Sequence, residues 1–230
     1  MRIGVVSDTH GFFDVRLGEL LAGVELILHA GDVGKQEVLN ELVRIAPVRA
    51  VRGNVDPPQL RLPLSATLEV GGMGCRGSSR AAPTRAATNY CNGNSRSAPT
   101  RPTMFASGSQ PGAALQVEIL HQLPVTQAEL EKWANYAPME GLATERRDAF
   151  LRSFDPNTRV VIFGHSHSPC AVALAGKLFF NPGSAGKQRF SLPQCCGLLD
   201  VSAKGVEAEI LSLQRYNGKL PEKLWLAVGG

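Results

Sequence analysis

Three short apolar runs separated by two amphipathic stretches occupy the first fifty residues, and that rhythm restricts the fold more than any other feature of the chain. Arg2-Ile-Gly-Val-Val-Ser7 reads as a buried strand and is followed by a helix around 14–22. Glu25-Leu-Ile-Leu-His29 is a second strand, the stretch from Lys35 to about Ile45 a second helix, and Pro47–Arg52 a third strand. Strand and helix alternating at this spacing mark βαβ units, which wind into a parallel sheet. Thr67–Val70 is a shorter strand that ends at Gly71-Gly72, a hairpin signal.

The character then changes. From Gly71 to Ala114 there is no Val, Ile or Leu, and Ala-Pro-Thr-Arg occurs twice, at 82–85 and 98–101. Such a tract buries too little apolar surface to offset its ordering entropy, which predicts a disordered insertion at about 72–114 within a single domain spanning 1–230. An exposed hairpin tip tolerates such a length, because closure entropy grows slowly with loop size. The tract also explains the formal net charge of +4: it holds five arginines (Arg76, Arg80, Arg85, Arg96, Arg101) and no acid, so the rest of the chain is near neutral. No basic face, and hence no nucleic-acid partner, is expected.

Order resumes at Leu115-Gln-Val-Glu-Ile-Leu-His121, a strand. Thr126-Gln-Ala-Glu129 has the form of a capping box opening a helix. A further helix is expected at about 141–154, a buried strand at Arg159–Phe163, and consecutive strands at 171–175, 177–181, 197–201 and 206–213. That C-terminal half implies a second, mixed or antiparallel portion of sheet. Trp133, Tyr136 and Phe150 stand at helical spacings and read as core. No apolar run reaches the ~20 residues of a membrane span, and the N-terminus lacks signal-peptide architecture, so a cytoplasmic protein is expected. Five cysteines, an odd number without CxxC spacing, argue against a disulfide framework and a zinc knuckle, and adjacent Cys195 and Cys196 read as reduced, partly buried thiols rather than as a strained vicinal disulfide.

The five histidines carry the chemistry. His10 lies in Asp8-Thr-His10 after the first strand, and His29 precedes Gly31-Asp32 after the second. Gly53-Asn54 follows the third strand, His121 ends the strand after the insertion, and Gly164-His165-Ser-His167 follows the strand at 159–163. Each polar cluster therefore falls where a strand runs out, the edge on which sites assemble in α/β sheets. A mixture of carboxylate, imidazole and amide oxygen suits borderline divalent ions such as Mn²⁺, Fe²⁺, Zn²⁺ or Ni²⁺. Glycines 31, 53 and 164 are expected to let the backbone turn tightly behind each ligand. Asp8 has an alternative role as a helix N-cap. His29, inside an apolar strand, reads as a buried supporting histidine, Asp56 as a second supporting residue, and Asn181-Pro-Gly-Ser184 either as a structural turn near the site or as a substrate contact.

Asp-x-His, Gly-Asp, Gly-Asn, a strand-end His and Gly-His-x-His in that order resemble the calcineurin-like phosphoesterase superfamily. Ser7-Asp-Thr-His-Gly11, His29-Ala-Gly-Asp32, Val51-Arg-Gly-Asn-Val-Asp56, Gly164-His-Ser-His-Ser-Pro169 and Asn181-Pro-Gly-Ser-Ala185 are similar to its small bacterial and archaeal phosphodiesterases, a group that also contains the retromer subunit of the same fold. The resemblance runs through 1–70 and 115–213. It implies two packed mixed β-sheets flanked by helices, an α/β/β/α sandwich. It also implies two divalent metal ions, with Mn²⁺ foremost. Asp8, His10 and His167 would hold one ion, Asn54, His121 and His165 the other, and Asp32 would bridge them. The implied activity is hydrolysis of a small phosphoester by in-line attack of a metal-activated hydroxide on phosphorus; the alternative is a non-catalytic interaction scaffold like the retromer subunit. Self-association is left open. Two departures stand out: Gln122 follows His121 where the family usually has Gly, and Val55 follows Asn54 where the phosphoprotein phosphatases place a His, which points to a diester or a good leaving group.

Overall fold

The computed structural model describes residues 1–71, 114–135, 142–189, 191–214 and 218–227. The expected disorder of the insertion, Tyr136, Cys75 and Cys91 lie outside the described residues.

The strand–helix rhythm of the N-terminal third is realised as β1 (Arg2–Val6), α1 (Leu17–Leu20), β2 (Leu26–His29), α2 (Gln36–Val43) and β3 (Val48–Ala50). β1 pairs parallel with β2, and β2 with β3. The chain then makes β4 (Ser65–Val70) and β5 (Leu115–Leu120), which pair antiparallel with Val70 opposite Leu115, so the segment between them joins two adjacent strand ends. α3 (Gln127–Asn135), α4 (Leu142–Arg152) and β6 (Thr158–Ile162) follow, then β7 (Cys170–Leu174), β8 (Lys177–Asn181), β9 (Cys195–Ser202), β10 (Gly205–Ser212) and β11 (Leu224–Ala227).

The strands form two mixed sheets, ordered β11-β10-β9-β1-β2-β3 and β4-β5-β6-β8-β7. The consecutive C-terminal strands are thus divided. The β7–β8 hairpin extends the second sheet, whereas β9 and β10 return to lie antiparallel beside β1 in the first. β11 was not anticipated; its four residues are an edge strand paired to β10.

Alternation along the strands sets the layers, because successive side chains face opposite sides of a sheet. Ile3 and Val5 of β1 meet Val160 and Ile162 of β6 and Phe180 of β8 in the core between the sheets. Val6 faces the other way and packs with Leu17 and Leu21 near α1 and with Val38, Leu39 and Leu42 of α2. On the far side, Val161 and Phe179 pack with Leu130 and Trp133 of α3 and with Phe150 and Phe154, so Trp133 and Phe150 are core as expected. The result is helix, sheet, sheet, helix. β1 and β6 read as unbroken apolar runs because both their faces are covered.

Local chemistry explains the element boundaries. Thr126 Oγ1 accepts the Glu129 N–H at 3.2 Å while Glu129 Oε2 accepts the Thr126 N–H at 3.1 Å, the reciprocal capping expected for α3. α1 is shorter than the expected 14–22. The Asp14 carboxylate accepts the Arg16 N–H at 3.0 Å and binds its guanidinium, a local turn that competes with helix over those residues. Cys195 and Cys196 are fully rather than partly buried, are free thiols with Cys170, and burial pushes both pKa values up to about 12. Among the described residues no helix is long and apolar enough to cross a membrane.

Candidate metal centre

Five strand ends deliver the polar side chains to one place. Asp8 and His10 follow β1, Asp32 follows β2 and Asn54 follows β3, all at the C-terminal edge of the parallel part of the first sheet. His121 directly follows β5 and His165 and His167 follow β6, at the matching edge of the second. The edges are joined across the sandwich: the His121 Nδ1–H donates to the Ala30 carbonyl at 2.7 Å, and the His165 N–H donates to Asp8 Oδ2 at 3.1 Å.

All seven side chains expected at the centre converge. His10 Nε2 and His167 Nε2 face each other at 3.0 Å, and His167 Nε2 stands 3.4 Å from Asp8 Oδ1. His121 Nε2 lies 3.4 Å from Asp32 Oδ2, which is 3.9 Å from His10 Nε2. Asn54 Oδ1 lies 3.0 Å from His121 Nε2 and 3.1 Å from His165 Nδ1. Two groups have ligand atoms all within 4.8 Å of one another: Asp8, His10 and His167, and Asp8, Asp32 and His121.

The donor set fits cations. Asp8 Oδ2 is satisfied by the Ser7 hydroxyl at 2.6 Å and by the His165 N–H, but its Oδ1 is buried without a hydrogen-bond partner, with the His167 Nε2 3.4 Å away. A buried carboxylate oxygen left in that condition is costly unless a positive charge meets it. His121 shows the same preparation. Its Nδ1–H is committed to a carbonyl, so Nε2 is free to offer a lone pair beside two oxygens. Burial alone would lower its pKa, but the Asp32 carboxylate, the Ala30 carbonyl and the charge of Asp8 outweigh that and raise it. Burial would raise the Asp32 pKa, and hydrogen bonds from His121 and the Val55 N–H lower it instead. His10 is held below its ordinary value by burial and then by the charge of Arg189.

The backbone is strained where it carries these groups. Asp8, His10, Asp32, His165 and His167 all have φ between 48° and 68°. Each left-handed L-residue costs on the order of 1 kcal/mol, a strain that folds keep mainly at functional sites. The glycines behind the ligands do more than turn the chain. Gly31 does turn with φ +92°, but the decisive property of Gly53 and Gly164 is close approach: a Cβ on Gly53 would lie 2.0 Å from Asp32 Oδ1, and one on Gly164 would lie 2.0 Å from Ser7 Oγ.

The supporting residues sort themselves by contact. Asp56 accepts N–H groups from Gly34 at 2.6 Å and Gly53 at 2.8 Å, pinning the loop that carries Asn54 to the loop after Asp32. Asp8 caps no helix, which removes that alternative. Asn181 is buried and donates to the Gly164 carbonyl at 3.1 Å and to Ser166 Oγ at 2.9 Å, and the Ser184 hydroxyl donates to the Asp8 carbonyl at 2.9 Å, so that turn braces the centre. Ser7 and Ser184 lie within motifs the sequence showed, and the turn at 181–184 was expected near the site, but their individual contacts with Asp8 were not foreseen. Arg189, four residues beyond Ala185, was not foreseen at all.

His29 is fully buried, hydrogen-bonded to Thr9 Oγ1 at 3.0 Å, and burial pushes its pKa down to about 4. Its neutral form is therefore favoured in the folded state. Stability is complete above the unfolded value of 6.5 and falls as pH drops from there towards 4. Urea denaturation of protein stripped of metal should show on the order of 2 kcal/mol less stability from this group at pH 5 than at pH 7. The His121 shift acts in the opposite sense, so the test is a difference: His29→Gln should flatten the pH dependence by that amount, and an unchanged slope would contradict it.

A family model described as the calcineurin-like phosphoesterase superfamily domain matches residues 1–204. A probable metallophosphoesterase of Methanothermobacter thermautotrophicus is 46% identical over 63 residues, 24% of this chain, and the match spans 36% of that relative's length. Among solved structures, Vps29 from Chaetomium thermophilum superposes with a TM-score of 0.60 at 18% identity, covering 99% of this chain and 98% of that one. An archaeal phosphodiesterase superposes with a TM-score of 0.53 at 18% identity, covering 92% and 100%.

Proposed function

The chain belongs to the calcineurin-like phosphoesterase superfamily, and on that premise we propose that it is a metal-dependent phosphodiesterase. In this reading Asp8, His10 and His167 hold one divalent cation, Asn54, His121 and His165 a second, and Asp32 lies between them, with Mn²⁺ the foremost candidate. The domain extends along the whole chain, with 72–114 as an insertion. The observation that carries the reading is the convergence of buried carboxylates and imidazoles around an unpartnered Asp8 Oδ1.

A bound pair of divalent cations would supply Lewis acidity to phosphoryl oxygens and a lowered pKa to water. The protein's own part is positioning. Ser7 and the His165 N–H hold the Asp8 carboxylate in one orientation. The Ala30 carbonyl fixes the His121 tautomer, so that Nε2 faces the centre. The Val55 N–H, at 3.0 Å from Asp32 Oδ1, and Asp56 lock the Asn54 loop against it. Val55, beside Asn54, is half-exposed and supplies no proton to a departing alkoxide, which favours diesters and good leaving groups over phosphoproteins.

Hydrolysis of a chromogenic phosphodiester by the full chain tests this. Chelation should reduce turnover to background and added Mn²⁺ should restore it. Turnover that is indifferent to chelator would refute a metal-dependent reaction. Absence of turnover with every divalent ion would favour the competing reading, a non-catalytic scaffold, for which the likeness to Vps29 is the supporting observation.

A further inference from the structure

We propose that the cleft beside His165 receives one organic arm of a phosphodiester, and that this arm is an uncharged, hydrogen-bonding group of nucleoside size. The inference rests on the phosphodiesterase reading and narrows it to a substrate class.

The cleft has a volume of about 460 Å³ and lies between the segment that follows His121 and the segment around His165. That places it directly against the centre, on the side of His121 and His165, and its size is within the ~300–1,000 Å³ of small-molecule sites. Its walls combine two chemistries. Leu123, Val125 and Phe163 supply apolar surface, while Gln122, Thr126 and Gln127 supply amide and hydroxyl groups. Such a lining suits a ring system that is apolar on its faces and carries donors and acceptors on its edges.

The charges of the wall give no call for an anionic group there. Arg146 lines the cleft, but its guanidinium is paired with Glu129, another lining residue, at 3.0 Å, so the wall offers no net positive field. Positive charge lies instead beside the segment that carries His10: the Lys187 Nζ stands 5.7 Å from the Phe12 ring centroid, and the Lys35 stem lies along Gly11. A phosphodiester on the centre can therefore direct anionic oxygen towards the His10 flank and an uncharged arm into the cleft.

Gln122 is the selective residue. It is exposed, it follows His121 immediately, and its side-chain amide has no hydrogen-bond partner among the described residues. An unspent amide at the mouth of a half-apolar cleft is available to a ligand edge.

The test compares two diesters with the same leaving group, thymidine 5′-(p-nitrophenyl) phosphate and methyl p-nitrophenyl phosphate, on the Mn²⁺-loaded full chain. The kcat/KM ratio should favour the thymidine ester at least tenfold, and Gln122→Trp, which fills the cleft from an exposed position, should bring the ratio to within threefold of unity. A ratio cancels partial loss of folded protein. A wild-type ratio near one, or a preference that Gln122→Trp leaves intact, overturns the proposal. A second arm is independent of turnover: saturation transfer by NMR from the chelator-treated protein to the protons of thymidine. If neither diester is hydrolysed, the phosphodiesterase reading fails, and the thymidine signal still decides the cleft. Transfer that Gln122→Trp removes supports it, and no transfer overturns it.

Discussion

Asp8→Ala is expected to lower Mn²⁺-dependent diester hydrolysis by about a thousandfold or more, roughly 4 kcal/mol of transition-state stabilisation. Asp8 is fully buried, belongs to both groups of converging ligand atoms, and is the residue whose Oδ1 has no partner. Removing it takes a negative charge from the centre and also releases the His165 N–H and the Ser7 hydroxyl that its Oδ2 holds. Each buried group left unpaired costs about 1–3 kcal/mol, but the variant also loses an unsatisfied buried carboxylate oxygen, so the fold should lose much less than the activity does. Kinetics and urea denaturation in the same buffer separate the two effects. Activity within tenfold of wild type, in folded protein, would mean that Asp8 is not a ligand.

The second large effect comes from a single methyl group. In Gly53→Ala the new Cβ would lie 2.0 Å from Asp32 Oδ1 and 2.2 Å from the Asp32 backbone nitrogen, and the second of these cannot swing aside. The loop after β3 must move away from the loop after β2. That breaks the Gly53 N–H bond to Asp56 Oδ2 at 2.8 Å and the Val55 N–H bond to Asp32 Oδ1 at 3.0 Å, and carries Asn54 off His121. Overpacking and the lost buried hydrogen bonds together predict a stability loss of about 2–4 kcal/mol. A displacement of that kind at a catalytic centre costs turnover on the order of a hundredfold. Gly18→Ala is the control, since nothing lies within 4 Å of a Cβ there. It should leave turnover unchanged and leave thermal stability unchanged or slightly raised. A Gly53→Ala protein as stable and active as wild type would show that the two loops are not locked together.

Much of this was legible in the sequence, for identifiable reasons. β1, β2 and β6 are apolar on both faces, so their runs are unbroken and each ends visibly at a polar cluster. The Thr126–Glu129 capping box is a local rule and holds locally. What escaped depends on distance. β11 is a four-residue edge strand with alternating partly exposed residues, and its pairing with β10 is a tertiary event that its own residues do not announce. The return of β9 to lie beside β1 joins residues some 190 positions apart, for example Arg2 with Asp200. At the centre, the residue types and their order were readable, but the reason for Gly53 and Gly164 was not. Both were expected to provide turns, and the close approach of Asp32 and Ser7 is visible only once the loops are assembled. The turn at 181–184 was readable as lying near the site, but the bond from Ser184 to the Asp8 carbonyl, 176 residues away, was not.

Anomalous diffraction at the manganese edge, from crystals grown with Mn²⁺, addresses the arrangement of the seven side chains directly. Two peaks are expected about 3.5–4 Å apart, one against Asp8, His10 and His167, the other against Asn54, His121 and His165, with the Asp32 carboxylate between them. No peak in this region, or a single one with Asn54 and His165 turned away from it, would contradict the two-cation centre.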